Sequence, residues 1–177
     1  MNTSFPGSGS RVCPTAEATQ ELGASIGKAL EAGDVVVLDG PLGAGKTTFT
    51  QGIARGMGVR GRVTSPTFVI AREHRSEAGG PALIHVDAYR LLGDGSGGDP
   101  LGELDALDLD TALETAVVVA EWGGGLVEQL APTYLFVQLD RETLVANDPE
   151  SQGRIVTWRL VRPDASAHQY SHESPAQ

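Results

Sequence analysis

The stretch "DGPLGAGKTT", residues 39–48, places Gly40, Gly45, Lys46 and Thr47 in the spacing G-x-x-x-x-G-K-T. Those residue types at that spacing suit the gripping of a nucleoside triphosphate. Glycines let successive backbone N–H groups curl toward an anion, and a helix opening directly afterwards adds its positive end. The lysine reaches the β and γ phosphates, and the threonine hydroxyl is offered to Mg2+. The expected cradle is Pro41, Leu42, Gly43, Ala44, Gly45, Lys46, Thr47 and Thr48. The competing reading is a glycine-rich turn with an exposed lysine. Lysine usage speaks against it, because Lys28 and Lys46 are the only lysines in the chain and Arg fills every other basic position.

A phosphate loop of this kind needs a second metal ligand at the end of a neighbouring strand. "ALIHVD", 82–87, supplies such a strand with Asp87 in its last position; Asp39, at the end of the strand feeding the loop, is the weaker rival. Two further pieces stay open on chemistry alone. In "TSPTF", 64–68, Thr67 reads either as a switch threonine sensing the γ-phosphate and Mg2+ or as a plain turn residue beside Pro66. In "AEWGGG", 120–125, Glu121 can orient an attacking water and Trp122 can pack beside the nucleotide. The same pair also reads as a capped strand with a boundary aromatic.

What the sequence lacks narrows the base and ranks the reaction classes, which are an ATP-hydrolysing subunit, a small-molecule kinase and a nucleotide-dependent binding switch with negligible hydrolysis. Neither lysine is preceded by Asn, so the guanine-reading N-K-x-D is absent and ATP is the better expectation. A small-molecule kinase also fits "GPLGAGKTT", yet such enzymes close an arginine-bearing lid over the transferred phosphoryl group. Between Arg90 and Arg141, where a lid is expected, there is no Lys or Arg, so the kinase reading ranks second.

The elements that must position these groups alternate. Thr15 is a plausible N-cap, and Leu22, Ile26 and Leu30 recur at fourfold spacing in a helix ending near Gly33. "VVVLD", 35–39, is β-branched without alternation, as in a parallel strand covered on both faces. A helix from about Thr47 closes at Gly58. Further strands are expected at 67–73, 82–87, 116–122, 133–140 and 154–161, the first two forming a hairpin. The fold class is α/β: a three-layer P-loop NTPase arrangement with a mixed, mostly parallel central sheet and helices on both faces. Residues 1–14 read as a disordered lead, 15–162 as the ATPase domain and 163–177 as a disordered tail.

Composition narrows the partners. The formal charge is -10, and Asp94, Asp99, Glu103, Asp105, Asp108, Asp110, Glu114, Glu121 and Glu128 all fall in the stretch without basic residues. Such a surface disfavours direct nucleic-acid binding, which draws on Lys and Arg. It is either a solvated face or a docking surface for a basic partner. The lone Cys13 reads as a bystander thiol, and His74, His85, His168 and His172 show no metal-ligand spacing. No apolar run reaches the roughly 18 residues of a membrane span and no secretory signal opens the chain, so the expected location is cytoplasmic.

Taken in order, "GPLGAGKTTFTQGIARGMG", "SPTF", "HVDAYRL" and "EWGGG" closely resemble the TsaE (YjeE) family of bacterial P-loop ATPases. The likeness runs from about residue 15 to 160, with departures at Pro41, often an acid in the family, and Gly123, often a proline. The resemblance implies a cytoplasmic ATPase needed for threonylcarbamoyladenosine in tRNA. Such a protein joins the TsaB and TsaD proteins and meets tRNA only through them. It also implies roles: Lys46 and Thr47 at the phosphates and Mg2+, Asp87 and Glu121 at the metal, Thr67 as switch threonine, and Glu121 with Trp122 as a second functional strand end. Tyr89 and Arg90 then face the partner or the γ-phosphate, the alternative for Arg90 being a simple pairing with the acidic surface. With no other obvious arginine finger in the chain, hydrolysis is expected to be slow alone and faster in the complex.

Overall fold

The computed structural model describes residues 1–61, 63–64, 70–77, 79–88, 102, 107–122 and 131–163. The expectations for Thr67, Tyr89, Arg90, the loop 93–100 and the tail 164–177 lie outside these residues. Seven strands form one sheet: β1 (Ser8–Cys13), β2 (Val35–Asp39), β3 (Ala71–His74), β4 (Ala82–Asp87), β5 (Ala116–Glu121), β6 (Tyr134–Asp140) and β7 (Arg154–Val161). Their spatial order is β1-β7-β6-β2-β5-β4-β3. The central four, β6, β2, β5 and β4, run parallel, while β3, β7 and β1 join antiparallel at the flanks. The sheet is thus mixed around a parallel centre, and β3 with β4 forms the expected antiparallel pair.

The unalternating run of β2 has a direct cause. Val36 and Leu38 pack on one face with Leu22, Ile26, Phe49 and Ile53, while Val35 and Val37 pack on the other with Val118, Leu109 and Leu113. Both faces are covered, so both parities of the strand must be apolar. The first face carries helices α1 (Ala16–Gly27) and α2 (Lys46–Met57); the second carries the short α3 (Leu109–Leu113). A further short helix, α4 (Glu142–Asn147), follows β6. Thr15 caps α1 by accepting from the Ala18 N–H, and Gly58 ends α2 at φ 68°.

Helices α1 and α2 meet backbone to backbone. A Cβ at Gly23 would stand 2.5 Å from the Phe49 carbonyl oxygen, and one at Gly27, Gly52 or Gly56 would collide with the facing helix's carbonyls. Glycines spaced four apart on each helix bring α2, and the loop that precedes it, hard against α1.

The lead segment differs from expectation. Residues 8–13 are not a disordered lead but strand β1, paired from Ser8↔Arg159 to Cys13↔Arg154. Trp158 donates its indole N–H to the Pro6 carbonyl at 3.0 Å and packs on Phe5, and Cys13 is fully buried. Composition misjudges this segment because strand addition draws on backbone hydrogen bonds, which Ser, Gly and Arg supply as well as Val does. Burial pushes the Cys13 thiol pKa up, in keeping with an unreactive sulfur. Among the described residues no helix is long and apolar enough to cross a membrane.

Candidate nucleotide-binding site

The site lies where the parallel strands end. Strand β2 hands the chain to Gly40, whose φ of 143° and close approach to the Leu139 carbonyl exclude any side chain. Gly45 opens α2 at φ 103°, and no side chain caps the first turn of that helix. Its leading amide donors are therefore left for an anion.

Lys46 is 5% exposed. Its Nζ donates to the carbonyls of Gly40 at 2.6 Å and Pro41 at 3.1 Å, and stands 3.7 Å from the centroid of the Trp122 ring. Burial lowers its pKa, opposed by the charges of Glu121, Asp39 and Asp87. The ammonium is thus folded back on its own loop, and these contacts must yield before it can reach a phosphate.

The strand register brings the acids together. Asp87 and Glu121 are direct partners across the parallel pair β4 and β5, so both carboxylates emerge at the same height beside the loop. One oxygen of Glu121, a residue 6% exposed, accepts from the Thr47 hydroxyl at 3.0 Å and meets His85 Nε2 at 2.9 Å. His85 is fully buried, and its Nδ1 has no partner among the described residues. With Nε2 as the donor and the carboxylate as the acceptor, the pair satisfies this geometry. Trp122 follows at φ 62°, a left-handed conformation rare for a residue with a bulky side chain, with its N–H on the Leu38 carbonyl.

Lys46, Thr47, Asp87, Glu121 and Trp122 line one cleft of about 590 Å3, together with Leu42, Gly43, Gly45, Thr48 and Arg154. Pro41 and Ala44, expected in the cradle, do not line the cleft: the Pro41 carbonyl accepts from Lys46 Nζ, and Ala44 turns its methyl into the core. Asp39 does not line the cleft; its carboxylate faces Gln138 Nε2 at 3.5 Å, so the rival metal position is not built. Uncapped amides, an ammonium, a hydroxyl and two carboxylates in one cleft form a donor set that fits a magnesium-bound triphosphate. Two lining or supporting residues escape the sequence reading. His85 carries one signal, its two-residue spacing from Asp87, which puts both on the face that bears α2. Arg154 carries none.

A family model, "Threonylcarbamoyl adenosine biosynthesis protein TsaE", matches residues 13–148 of the 177. The chain belongs to the TsaE family. It is 54% identical over 157 residues to the tRNA threonylcarbamoyladenosine biosynthesis protein TsaE of Mycobacterium tuberculosis, covering 88% of this chain and 89% of that one. The TsaE of Streptomyces coelicolor is 57% identical over 122 residues, 69% of this chain and 78% of the relative. The crystal structure of Bacillus subtilis YdiB superposes with a TM-score of 0.63 at 28% identity, covering 87% of this chain and 85% of that one. The P-loop NTPase fold of TsaE therefore accounts for the mixed sheet and the loop between β2 and α2.

Proposed function

We propose that this chain is the Mg-dependent ATPase of threonylcarbamoyladenosine formation in tRNA, working in the cytoplasm with the TsaB and TsaD proteins. Membership of the TsaE family supports the pathway. The observation that carries the chemistry is the meeting of Lys46, Thr47, Asp87 and Glu121 in one cleft at the start of α2.

In this reading the loop amides bind the phosphates and Lys46 leaves the Gly40 and Pro41 carbonyls for the β and γ oxygens. Thr47 and Asp87 hold Mg2+, which supplies charge neutralisation at those oxygens. Glu121 loses the Thr47 hydroxyl when that group turns to the metal, which frees its carboxylate to take a water proton. His85 keeps the other side of Glu121 in place. Trp122 releases the ammonium and offers its ring to the nucleotide, and Thr67 serves as the switch threonine. The acidic surface leaves tRNA contact to the partners; on the described part of it, Asp108, Asp110 and Glu114 are exposed.

Incubation with γ-labelled ATP tests the proposal. Release of label as inorganic phosphate is expected, slowly for the chain alone and faster with TsaB and TsaD. Lys46→Ala is expected to abolish most of it, since each charge-assisted phosphate hydrogen bond contributes about 1.5–3 kcal/mol. Transfer of label to a metabolite would instead establish the kinase reading.

A further inference from the structure

His74 and His85 stand on the face of the sheet that bears α2, beside Leu83, Val117 and Val119. His74 is 8% exposed and His85 is fully buried. An apolar side chain would fill either position at lower cost, because burying a polar group is unfavourable unless it is hydrogen-bonded. His85 Nε2 is satisfied by the Glu121 carboxylate at 2.9 Å. His74 Nε2 and His85 Nδ1 are also buried, and neither has a hydrogen-bond partner among the described residues. Buried nitrogens are bonded in the great majority of native proteins, to protein or to ordered water, so two orphans side by side call for a shared explanation.

The strand register aligns these groups. His74 faces Leu83 across the antiparallel pair β3 and β4, and Glu121 faces Asp87 across the parallel pair β4 and β5. Each step from β3 to β4 to β5 moves over one strand and on by two residues, so His74, His85 and Glu121 occupy one diagonal with His85 in the middle. Diagonal neighbours across an antiparallel pair start about 7–8 Å apart, within reach of aromatic side chains. The two nitrogens of an imidazole lie on different sides of the ring, so the bond from Nε2 to Glu121 aims Nδ1 away from that carboxylate. After burial, the charge of His85 is the largest influence lowering the His74 pKa, as neighbouring rings require. A water molecule both donates and accepts, so it can join two ring nitrogens whichever of them carries a proton. We propose that His74 is a positioning residue for Glu121: one ordered water joins His74 Nε2 to His85 Nδ1, and His85 passes the restraint on to the carboxylate. An imidazole tethered at one nitrogen still turns about its Cβ–Cγ bond, whose torsion is broad, and a second tether removes that freedom. The carboxylate so fixed is the one that meets the Thr47 hydroxyl at 3.0 Å. This assignment rests on the reading of Glu121 as the group that takes the water proton. It extends the site to β3, none of whose residues lines the cleft.

Two measurements on the full chain test it. In a crystal structure of the wild type, a water oxygen within about 3.2 Å of both His74 Nε2 and His85 Nδ1 is expected. Another partner on His85 Nδ1, or none, overturns the proposal. The kinetic arm compares wild type, His74→Leu and His74→Gln by single-turnover hydrolysis of bound Mg-ATP and by calorimetric titration with Mg-ATP. The Leu variant keeps bulk and removes the hydrogen bond. It is expected to bind Mg-ATP as the wild type does and to hydrolyse it roughly 3- to 10-fold more slowly, the worth of one hydrogen bond. The Gln variant carries both a donor and an acceptor and is expected to recover most of the rate, which filling space alone would not do. Wild-type hydrolysis in the Leu variant overturns the proposal, as does an equal loss in both variants, which reduces the ring to packing. Weaker binding without slower hydrolysis of bound ATP marks a role in shaping the cleft and also overturns it. If the wild type binds Mg-ATP and does not hydrolyse it, the reading of Glu121 falls first, and the crystal structure alone decides the bridge. The same structure decides should the Leu variant not fold.

Discussion

The phosphate loop divides the sheet into halves of opposite character. On one side β5 and β4, parallel to β2, end in Glu121 and Asp87, with His85 buried behind them. On the other side β7 runs antiparallel to β6, so its first residue, Arg154, reaches the same edge. Two carboxylates thus approach the loop from one flank and a guanidinium from the other. A parallel strand contributes its last residue to this edge and an antiparallel strand its first, so the two halves write their functional residues at opposite ends of the strand sequence.

Glu121→Gln tests the acidic half most sharply. It is expected to lower ATP turnover by about 10²- to 10⁴-fold while calorimetry still detects Mg-ATP. A variant with wild-type turnover would remove Glu121 from the chemistry. His85→Gln probes the support behind it, with a loss of roughly 10- to 100-fold expected in turnover and a smaller change in nucleotide affinity. If affinity falls and the turnover of bound ATP does not, His85 only shapes the cleft.

Gly27→Val tests whether the helix pair beneath the loop needs its close approach. The added side chain meets the Ile53 backbone, and urea unfolding is expected to show a loss of about 1–3 kcal/mol, as overpacking generally does. Undiminished stability would mean that the pair separates freely. The smallest effect concerns His74, on β3 at the outer edge of the acidic half. Burial, then the charges of His85 and Arg72, lowers its pKa from the ordinary 6.5. The unfolded chain therefore binds this proton at a higher pH than the folded one does. Stability should fall as pH drops through and below that ordinary value and level off below the folded pKa. In His74→Leu the slope in this window should flatten, and an unchanged slope would assign it to other groups.

How far the chain could be read in advance follows the same division. The loop and Asp87 were legible because motif spacing and an apolar strand that terminates in an acid leave a local signature, whereas Glu121 stayed open on chemistry alone and gained a role only through the family resemblance. Residues 8–13 were not, since their order comes from pairing with a strand far along the chain and from Trp158 closing over Phe5. Nor were the glycines of α1 and α2, whose role appears only when the two helices are set side by side. Arg154 is one arginine among 11 in the sequence, and only the antiparallel course of β7 brings it to the loop. His85 was visible as part of "HVDAYRL", but its bond to Glu121 depends on the register between β4 and β5.

The central claim is that the groups around Lys46 bind a magnesium-bound triphosphate. Titration of Mg-ATP into the folded chain, with Lys46→Ala in parallel, tests it most directly. Saturable heat at one site per chain for the wild type, largely lost in the variant, is the predicted result. No heat from well-folded wild-type protein, or equal binding by the variant, would contradict it.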